Sequence, residues 1–424
     1  MLDIKWIRSH PDLVQKAARV KGMEFDVNEL LQWDEARRAR LQEADALRQA
    51  RNAASARIAA CLRDGQPDEA ETLKANVREM NETLERLERE LGEAEREYRR
   101  CMLLVPNLPA ADSPVGASDA DNVELRRVGE PPRFHFEPLD HVELGERLGL
   151  LDTERGVKVA GSRSYYLREA GVLLHRAVQQ MALDLLADRG FTLLDVPLLV
   201  REEALVGTGF FPLGKEQTYA LPEDGRWLVG TSEVSLAAYY SGEIVDVSEP
   251  IRLAGASSCF RREVGSAGRD VRGLYRVHQF AKVEQVVLTR SDAAESNRML
   301  EEMVAHAEDI LQALELPYRV MDVCTGDMSQ KTYKQYDIET WMPGRAAYGE
   351  THSASNLLDF QARRLQIRYR DEDGALQYCH TLNNTAVASP RILIPLLENH
   401  QQPDGSVRIP EALRPYMRGM DRIE

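Results

Sequence analysis

Nowhere in its 424 residues does this chain run to the roughly 18 consecutive apolar positions of a membrane-spanning helix, so no such span is expected. The opening residues, MLDIKWIRSHPDL, place Asp3 early and hold no apolar core, so the sequence predicts no secretory signal and a cytoplasmic protein. Cysteine is scarce. The five present (Cys61, Cys101, Cys259, Cys324 and Cys379) are scattered and never form a C-x-x-C pair. That argues against a disulfide framework or a zinc site and for a reducing compartment. Positive charge is short as well: Lys and Arg number 54 against 69 Asp and Glu, a formal net charge of −15. Binding to nucleic acid needs basic surface only locally, so the deficit confines any such function to particular faces. No dinucleotide-binding fingerprint is present. The segment from Gly209 to Lys215 has the spacing of a phosphate-binding loop, but Pro212 interrupts it and Glu216 stands where a hydroxyl should meet magnesium. It is rejected as one.

Glycine and proline are almost missing from residues 27–104, apart from the break DGQPD at 64–68 and Gly92. After the break, apolar positions fall at Leu73, Val77, Met80, Leu84, Leu87, Leu91, Ala94, Tyr98 and Cys101, in alternating steps of four and three. That is the seam of a coiled coil. Before it the seam is weaker, through Leu41, Ala44, Leu47, Ala54, Ile58 and Cys61. The pattern predicts an antiparallel helical hairpin closed by a five-residue turn and dense in arginine. Alone, it reads first as a spacer whose arginines pair with nearby glutamates, since acidic residues slightly outnumber basic ones, and only second as an arm lying along RNA phosphates. The Pro-rich run VPNLPAADSP ends it and predicts a boundary near residue 110. Downstream, strands and helices interleave without a repeat, which predicts an α+β domain on a mainly antiparallel sheet over 111–424.

The densest chemistry lies in FRREVGSAGRDVRGLYRVHQFAKVE, residues 260–284. Two period-2 runs flank a Gly-rich loop, as in an antiparallel hairpin. On the first strand Arg261 and Glu263 would share a face. On the second, Phe280, Lys282 and Glu284 would, with Phe280 and Glu284 roughly 13 Å apart. A guanidinium, an aromatic ring and two carboxylates suit an extended ligand with an anionic centre, a flat base and a cationic or hydroxylated end. A solvated hairpin with cross-strand charge pairs is the plain alternative. Three further clusters stand out. Thr231-Ser232-Glu233 offers a hydroxyl and a carboxylate to an ammonium, or simply caps a helix. Glu350-Thr351-His352-Ser353 supplies oxygens suited to Mg²⁺. Asn383-Asn384-Thr385 precedes Ser389-Pro390-Arg391, where Ser389 is expected to cap a helix and to set Arg391 at its phosphate-favouring end.

These segments resemble the class II aminoacyl-tRNA synthetases, and VHQFAKVE at residues 277–284 resembles the seryl form of their motif 2. The helix and strand around residues 171–200, ending at Pro197, are similar to motif 1, GTGFFP at 207–212 to an active-site loop, and NNTAVASPR at 383–391 to motif 3 in its Thermus-type form. The N-terminal hairpin resembles the arm with which seryl enzymes grip a long variable arm of tRNA. The resemblance implies serine activation by ATP and transfer to tRNA(Ser), with tRNA(Sec) as a further acceptor, by a homodimer using Mg²⁺. It implies serine contacts at Thr231, Ser232, Glu233, Arg261, Glu284, Asn383 and Thr385. It implies nucleotide contacts at Arg261, Arg262, Glu263, Val277, Phe280, Glu350, Thr351, His352, Ser353 and Arg391. Of these, Arg261, Glu350 and Arg391 would be catalytic, and Glu350 and Ser353 would hold the metal. The loop from 265 to 273, with Arg269 and Arg272, would guide the acceptor end. Departures from the family pattern are Arg262, Ala354 and Pro395, the last expected to kink the final helix. A synthetase for another amino acid, a ligase that loads a carrier protein and a coiled-coil scaffold are the competing readings. The hairpin and VHQFAKVE disfavour the first, the hairpin the second, and the intact Arg261, Glu284, Glu350 and Arg391 the third.

Overall fold

Helix-forming sequence with one apolar stripe dominates residues 27–104, and a computed structural model of the chain, which describes residues 1–265 and 272–424, turns it into helices Val27–Arg63 and Pro67–Leu104. Asp26 caps the first by accepting from the Asn28 amide at 2.8 Å, and Pro67 opens the second, where its missing N–H costs nothing. Three residues, not five, connect them, because Pro67 and Asp68 already belong to the second helix. Gly65 sits at φ +71°, a left-handed value that glycine adopts without strain. Ala44, Ala54, Cys61, Leu84, Leu87, Leu91, Ala94 and Cys101 are buried between the helices, whereas Leu41 is 39% exposed and outside the seam. Arginine pairs across and along the hairpin: Arg40 with Glu43 and Glu90, Arg48 with Asp45 and Glu88, Arg57 with Glu69, and Arg100 with Glu29 and Glu97. Arg78, Arg86, Arg89, Arg96 and Arg99, all on the second helix, are exposed and have no ion pair among the described residues.

The chain divides into two compact units, one comprising Asp3–Arg19 and Glu24–Val105, the other Met1–Leu2, Val20–Met23 and Pro106–Glu424. In the first, Asp34 is 1% exposed and gathers Arg8 at 2.6 Å, Arg37 at 3.3 Å and Arg38 at 3.2 Å. Burial alone would raise its carboxyl; the hydrogen bonds from Arg8 and Arg37 and the Arg38 charge bring it below the ordinary range instead. A carboxyl held low by folding stabilises the fold fully above its unfolded value, about pH 4, and loses that contribution as pH falls through the folded value. Asp34→Ala is therefore expected to cost about 1–3 kcal/mol at neutral pH, and proportionally less toward pH 3, in urea unfolding followed by helical circular dichroism.

The second unit is built on an eight-stranded sheet. Its strands are β1 (Val123–Val128), β2 (Thr192–Leu193), β3 (Ile251–Phe260), β4 (Gln279–Thr289), β5 (Tyr318–Asp322), β6 (Lys334–Met342), β7 (Ala347–Asn356) and β8 (His380–Ser389). They lie in the order β1-β5-β6-β7-β8-β4-β3-β2, antiparallel throughout except where β2 joins β3. This is the α+β class expected. Helices Ala170–Asp188 and Ala293–Ala313 cover one face, where Leu174, Val178, Met299 and Met303 meet Val283, Val287 and Leu382 in the main core. Because side chains alternate, the residues between those core positions on β4 and β8 face the other way. Phe280, Lys282, Glu284, Asn383 and Thr385 accordingly line a cavity there. Pro395 lies in the first turn and not the interior of the final α-helix: it is the third residue of Leu393–His400, where backbone N–H groups have no partner inside the helix, so the expected loss of a helical hydrogen bond does not arise.

Candidate active site

The cavity on the open face of the sheet encloses about 340 Å³, a volume typical of small-ligand sites. Its floor comes from adjacent strands, β4 and β8, whose register sets Thr385 directly opposite Glu284. A shift in the pairing of β6 with β7 matters more. Ile338 pairs with His352 but Glu339 pairs with Glu350, which leaves Thr351 as an extra residue. Without such a bulge, positions three apart on a strand face opposite sides. With it, Glu350 and Ser353 face the same side, and both line the cavity.

The hairpin between β3 and β4 departs from its sequence-based outline. β3 stops at Phe260, so Arg261 and Glu263 lie in the connection and do not share a strand face. Arg261 is placed by other means: its amide donates to the His278 carbonyl at 3.0 Å, its Nε to the Gly230 carbonyl at 3.2 Å, and its guanidinium lies 5.2 Å from the Phe280 ring centre. Glu263 adopts a left-handed φ of +51° and makes an ion pair with Arg276 at 3.5 Å. Both line the cavity, with Val277. Arg262 does not, because its amide is tied to the Gln217 carbonyl at 2.9 Å beyond the strand end and its side chain is exposed. Of the loop expected to guide an acceptor end, Arg269 lies outside the described residues, and Arg272 is exposed and ion-paired with Asp140 at 2.7 Å.

Two buried carboxylates carry matched cations. Lys282 Nζ lies 2.5 Å from Glu284 Oε2, and burial pushes the Glu284 carboxyl up against the pull of Lys282. Lys331 Nζ lies 2.5 Å from Glu233 Oε1, which also accepts from Gln361 Nε2 at 2.7 Å. Glu233 and Thr231 line the cavity; Ser232 does not, being wholly buried with its hydroxyl donating to the Gly255 carbonyl. His352 is buried, which pushes it down to about 4 and leaves it neutral. Its Nε2 donates to the Ala386 carbonyl at 3.1 Å, so Nδ1 accepts from the Thr351 hydroxyl at 2.8 Å. It thus locks the bulge rather than moving protons.

Arg391 reaches the cavity by a route the sequence reading missed. Ser389 ends β8 and hydrogen-bonds His175 Nδ1 at 2.8 Å instead of capping a helix, and the helix begins only at Leu393. The guanidinium is instead held by the Tyr275 carbonyl at 3.0 Å, the Glu350 carbonyl at 3.1 Å and the Tyr275 ring at 4.4 Å. Tyr275, Arg276, Gln335 and Lys331 all line the cavity and were not foreseen. Lys331 belongs to a loop fixed from far along the chain. Lys21, whose ammonium burial pushes down to about 7, donates to the carbonyls of Ser329 at 3.0 Å, Gln330 at 3.3 Å and Thr332 at 2.5 Å. Asn107 Nδ2 donates to the Lys331 carbonyl at 3.1 Å. The run read as a linker therefore holds part of the cavity wall.

Comparison with known proteins agrees with this architecture over the whole chain. Residues 1–109 match the seryl-tRNA synthetase N-terminal domain, and residues 222–400 match the class II tRNA synthetase core domain of the G, H, P, S and T enzymes. A serine–tRNA ligase of Deinococcus radiodurans is 50% identical over 422 residues, 99% of this chain and 98% of that protein. One from Rubrobacter xylanophilus is 46% identical over 419 residues, covering 98% of each. The crystal structure of seryl-tRNA synthetase from Pyrococcus horikoshii complexed with ATP superposes with a TM-score of 0.90 at 38% identity, over 100% of this chain and 99% of that one. The chain belongs to the seryl-tRNA synthetase family of class II.

Proposed function

We propose that this chain is a serine–tRNA ligase that activates L-serine with ATP and transfers it to tRNA(Ser), with tRNA(Sec) as a second acceptor. The observation that carries this reading is the gathering in one cavity of Arg261, Phe280, Glu284, Glu350, Thr385 and Arg391 from three separate stretches of sequence, 260–284, 350–353 and 383–391. Serine binds with its ammonium at Glu233 and Thr231 and its hydroxyl between Glu284 and Thr385, with Asn383 beside them. Adenine stacks on Phe280 near Val277, Glu263 accepts from its amino group, and Arg261 holds the α-phosphate. Thr351 and His352 act by fixing the bulge that presents Glu350 and Ser353.

The serine carboxylate attacks the α-phosphorus, the bond to the β-phosphate oxygen breaks, and pyrophosphate leaves beside Arg391. The 3′-hydroxyl of the tRNA then attacks the seryl carbonyl, and AMP departs. No side chain need exchange a proton in the first step, so rate comes from positioning and charge stabilisation. Glu350 and Ser353 offer one carboxylate and one hydroxyl, hard oxygens that fit Mg²⁺ sharing its remaining positions with phosphate and water. Among the described residues no cluster of three or more His, Cys, Asp or Glu is arranged for a metal. When bound, Mg²⁺ supplies positive charge to the phosphates.

Residues 1–110, with the hairpin, form the tRNA-binding domain in this reading, and 111–424 the catalytic one. The exposed arginines of both helices of the hairpin supply phosphate contacts. The protein acts as a homodimer in the cytoplasm; the described helices include none long and apolar enough to cross a membrane. The test is ATP–pyrophosphate exchange with each of the twenty amino acids. Serine alone should support it, with alanine down by about 10³-fold or more because Glu284 and Thr385 would lose the hydroxyl partner that serine offers. Exchange driven by a different amino acid, or none at all, would sink the proposal.

A further inference from the structure

One cationic group of the cavity already sits where a ligand amine would go. Lys331 Nζ is 2.5 Å from Glu233 Oε1 and 4.0 Å from the centre of the Phe210 ring. Its side chain is 12% exposed and that of Glu233 6%. The surroundings are shaped for it. A Cβ at Gly209 would come within 3.3 Å of Lys331 Cδ, and Gly209 has a φ of +80° that other residues adopt only with strain. The loop backbone is pinned through the carbonyls of Ser329, Gln330, Lys331 and Thr332 by Lys21 and Asn107. Only side-chain rotation is left to move the ammonium.

We infer that Lys331 is a specificity-determining residue, an internal occupant of the amine-recognising carboxylate that a ligand ammonium must displace from Glu233. This rests on the reading of Glu233 as the amine partner. The counter-charge is needed when the site is empty, because a buried lone carboxylate is costly. Lys282 does the same for Glu284 but sits on the interior strand β4, 8% exposed, and among the described residues no aromatic ring offers its ammonium an alternative contact. Lys331 has one: on leaving Glu233 its ammonium keeps the face of Phe210, an attraction that survives partial hydration. Gln361 stays bonded to Glu233 Oε1 and holds the carboxylate in place during the exchange. A ligand without an amine leaves the internal pair closed, while one with an amine must break it. The site thereby gives up affinity for the amine and acquires a charge-neutral resting state.

The test uses the intact chain and two inert adenylate mimics, seryl-sulfamoyl-adenosine and its counterpart with hydrogen in place of the amino group. Lys331→Met should tighten the seryl mimic about tenfold, the scale of one charge-assisted contact no longer competed for, while the deamino mimic changes by less than about twofold. Should Lys331→Met give no cooperative melting transition, Lys331→Gln serves for the same pair of measurements. Equal changes for the two mimics would reduce Lys331 to a structural role, and weaker binding of the seryl mimic would make it a ligand contact; either result overturns the inference. Absence of serine-dependent exchange in the unaltered protein would instead remove the functional reading on which the inference stands.

Discussion

Arg261→Ala is expected to lower kcat/KM for serine-dependent ATP–pyrophosphate exchange by about 10²- to 10³-fold, with most of the loss in kcat. The reasoning starts from where the guanidinium sits. It is half-buried, tied by Nε to the Gly230 carbonyl at 3.2 Å, and lies 5.2 Å from the Phe280 ring centre. It therefore needs little reorganisation when charge builds on a neighbouring phosphate, which is the condition under which such a group contributes most. Arg261→Lys should recover only part of the loss, since an ammonium lacks the planar fork and cannot hold the carbonyl, the ring and a phosphate at once. Steady-state exchange at saturating serine checks both. A loss below about fivefold for Arg261→Ala, against the 10²-fold scale of a charge-stabilising group, would show that the α-phosphate is held elsewhere.

Shortening the hairpin should separate the two half-reactions. Excising residues 49–83 and closing the cut with a short Gly-Ser turn removes the distal part of both helices, with Arg51, Arg57, Arg63 and Arg78. Exchange with ATP and serine should persist, because every residue lining the cavity lies at 210 or beyond. Aminoacylation of tRNA(Ser) should fall by about 10²-fold or more, the size of effect expected when one of two tethered contact regions is lost. Both rates can be measured on one preparation. Retained transfer would assign the arm a purely structural role, in line with its many Arg–Glu pairs. Loss of exchange as well would show that the arm supports the catalytic unit itself.

What could be read beforehand was what depends on short-range spacing. The seam from Leu73 to Cys101 and the shared face of Phe280, Lys282 and Glu284 follow from helix and strand periods, and the structure has both. Where an element stops or slips was not legible. Nothing apolar marks the end of β3 at Phe260, since the alternation simply runs on into charged residues, so Arg261 and Glu263 were set on a strand they do not occupy. The extra residue at Thr351 is specified by the pairing of two strands and is invisible in either alone. Ser-Pro at 389–390 carries the local signature of a helix start, yet β8 runs to Ser389 because its ladder partner extends that far. Lys331 was unreadable for a different reason: it meets Glu233 from 98 positions away, from a loop with no periodic signal.

The wall that carries Lys331 has a consequence for the order in which the molecule is made. Lys21 is synthesised more than 300 residues before the carbonyls it finally serves. Until they arrive, its ammonium stays hydrated, and the strip from 329 to 332 lacks the donors that fix its path. Closing so long a loop is entropically expensive and slow. The nascent chain can thus complete the local helical hairpin early, while the cavity takes its final form only when the beginning and the last third of the protein meet. Refolding experiments should therefore recover helical signal well ahead of the ability to bind ligand.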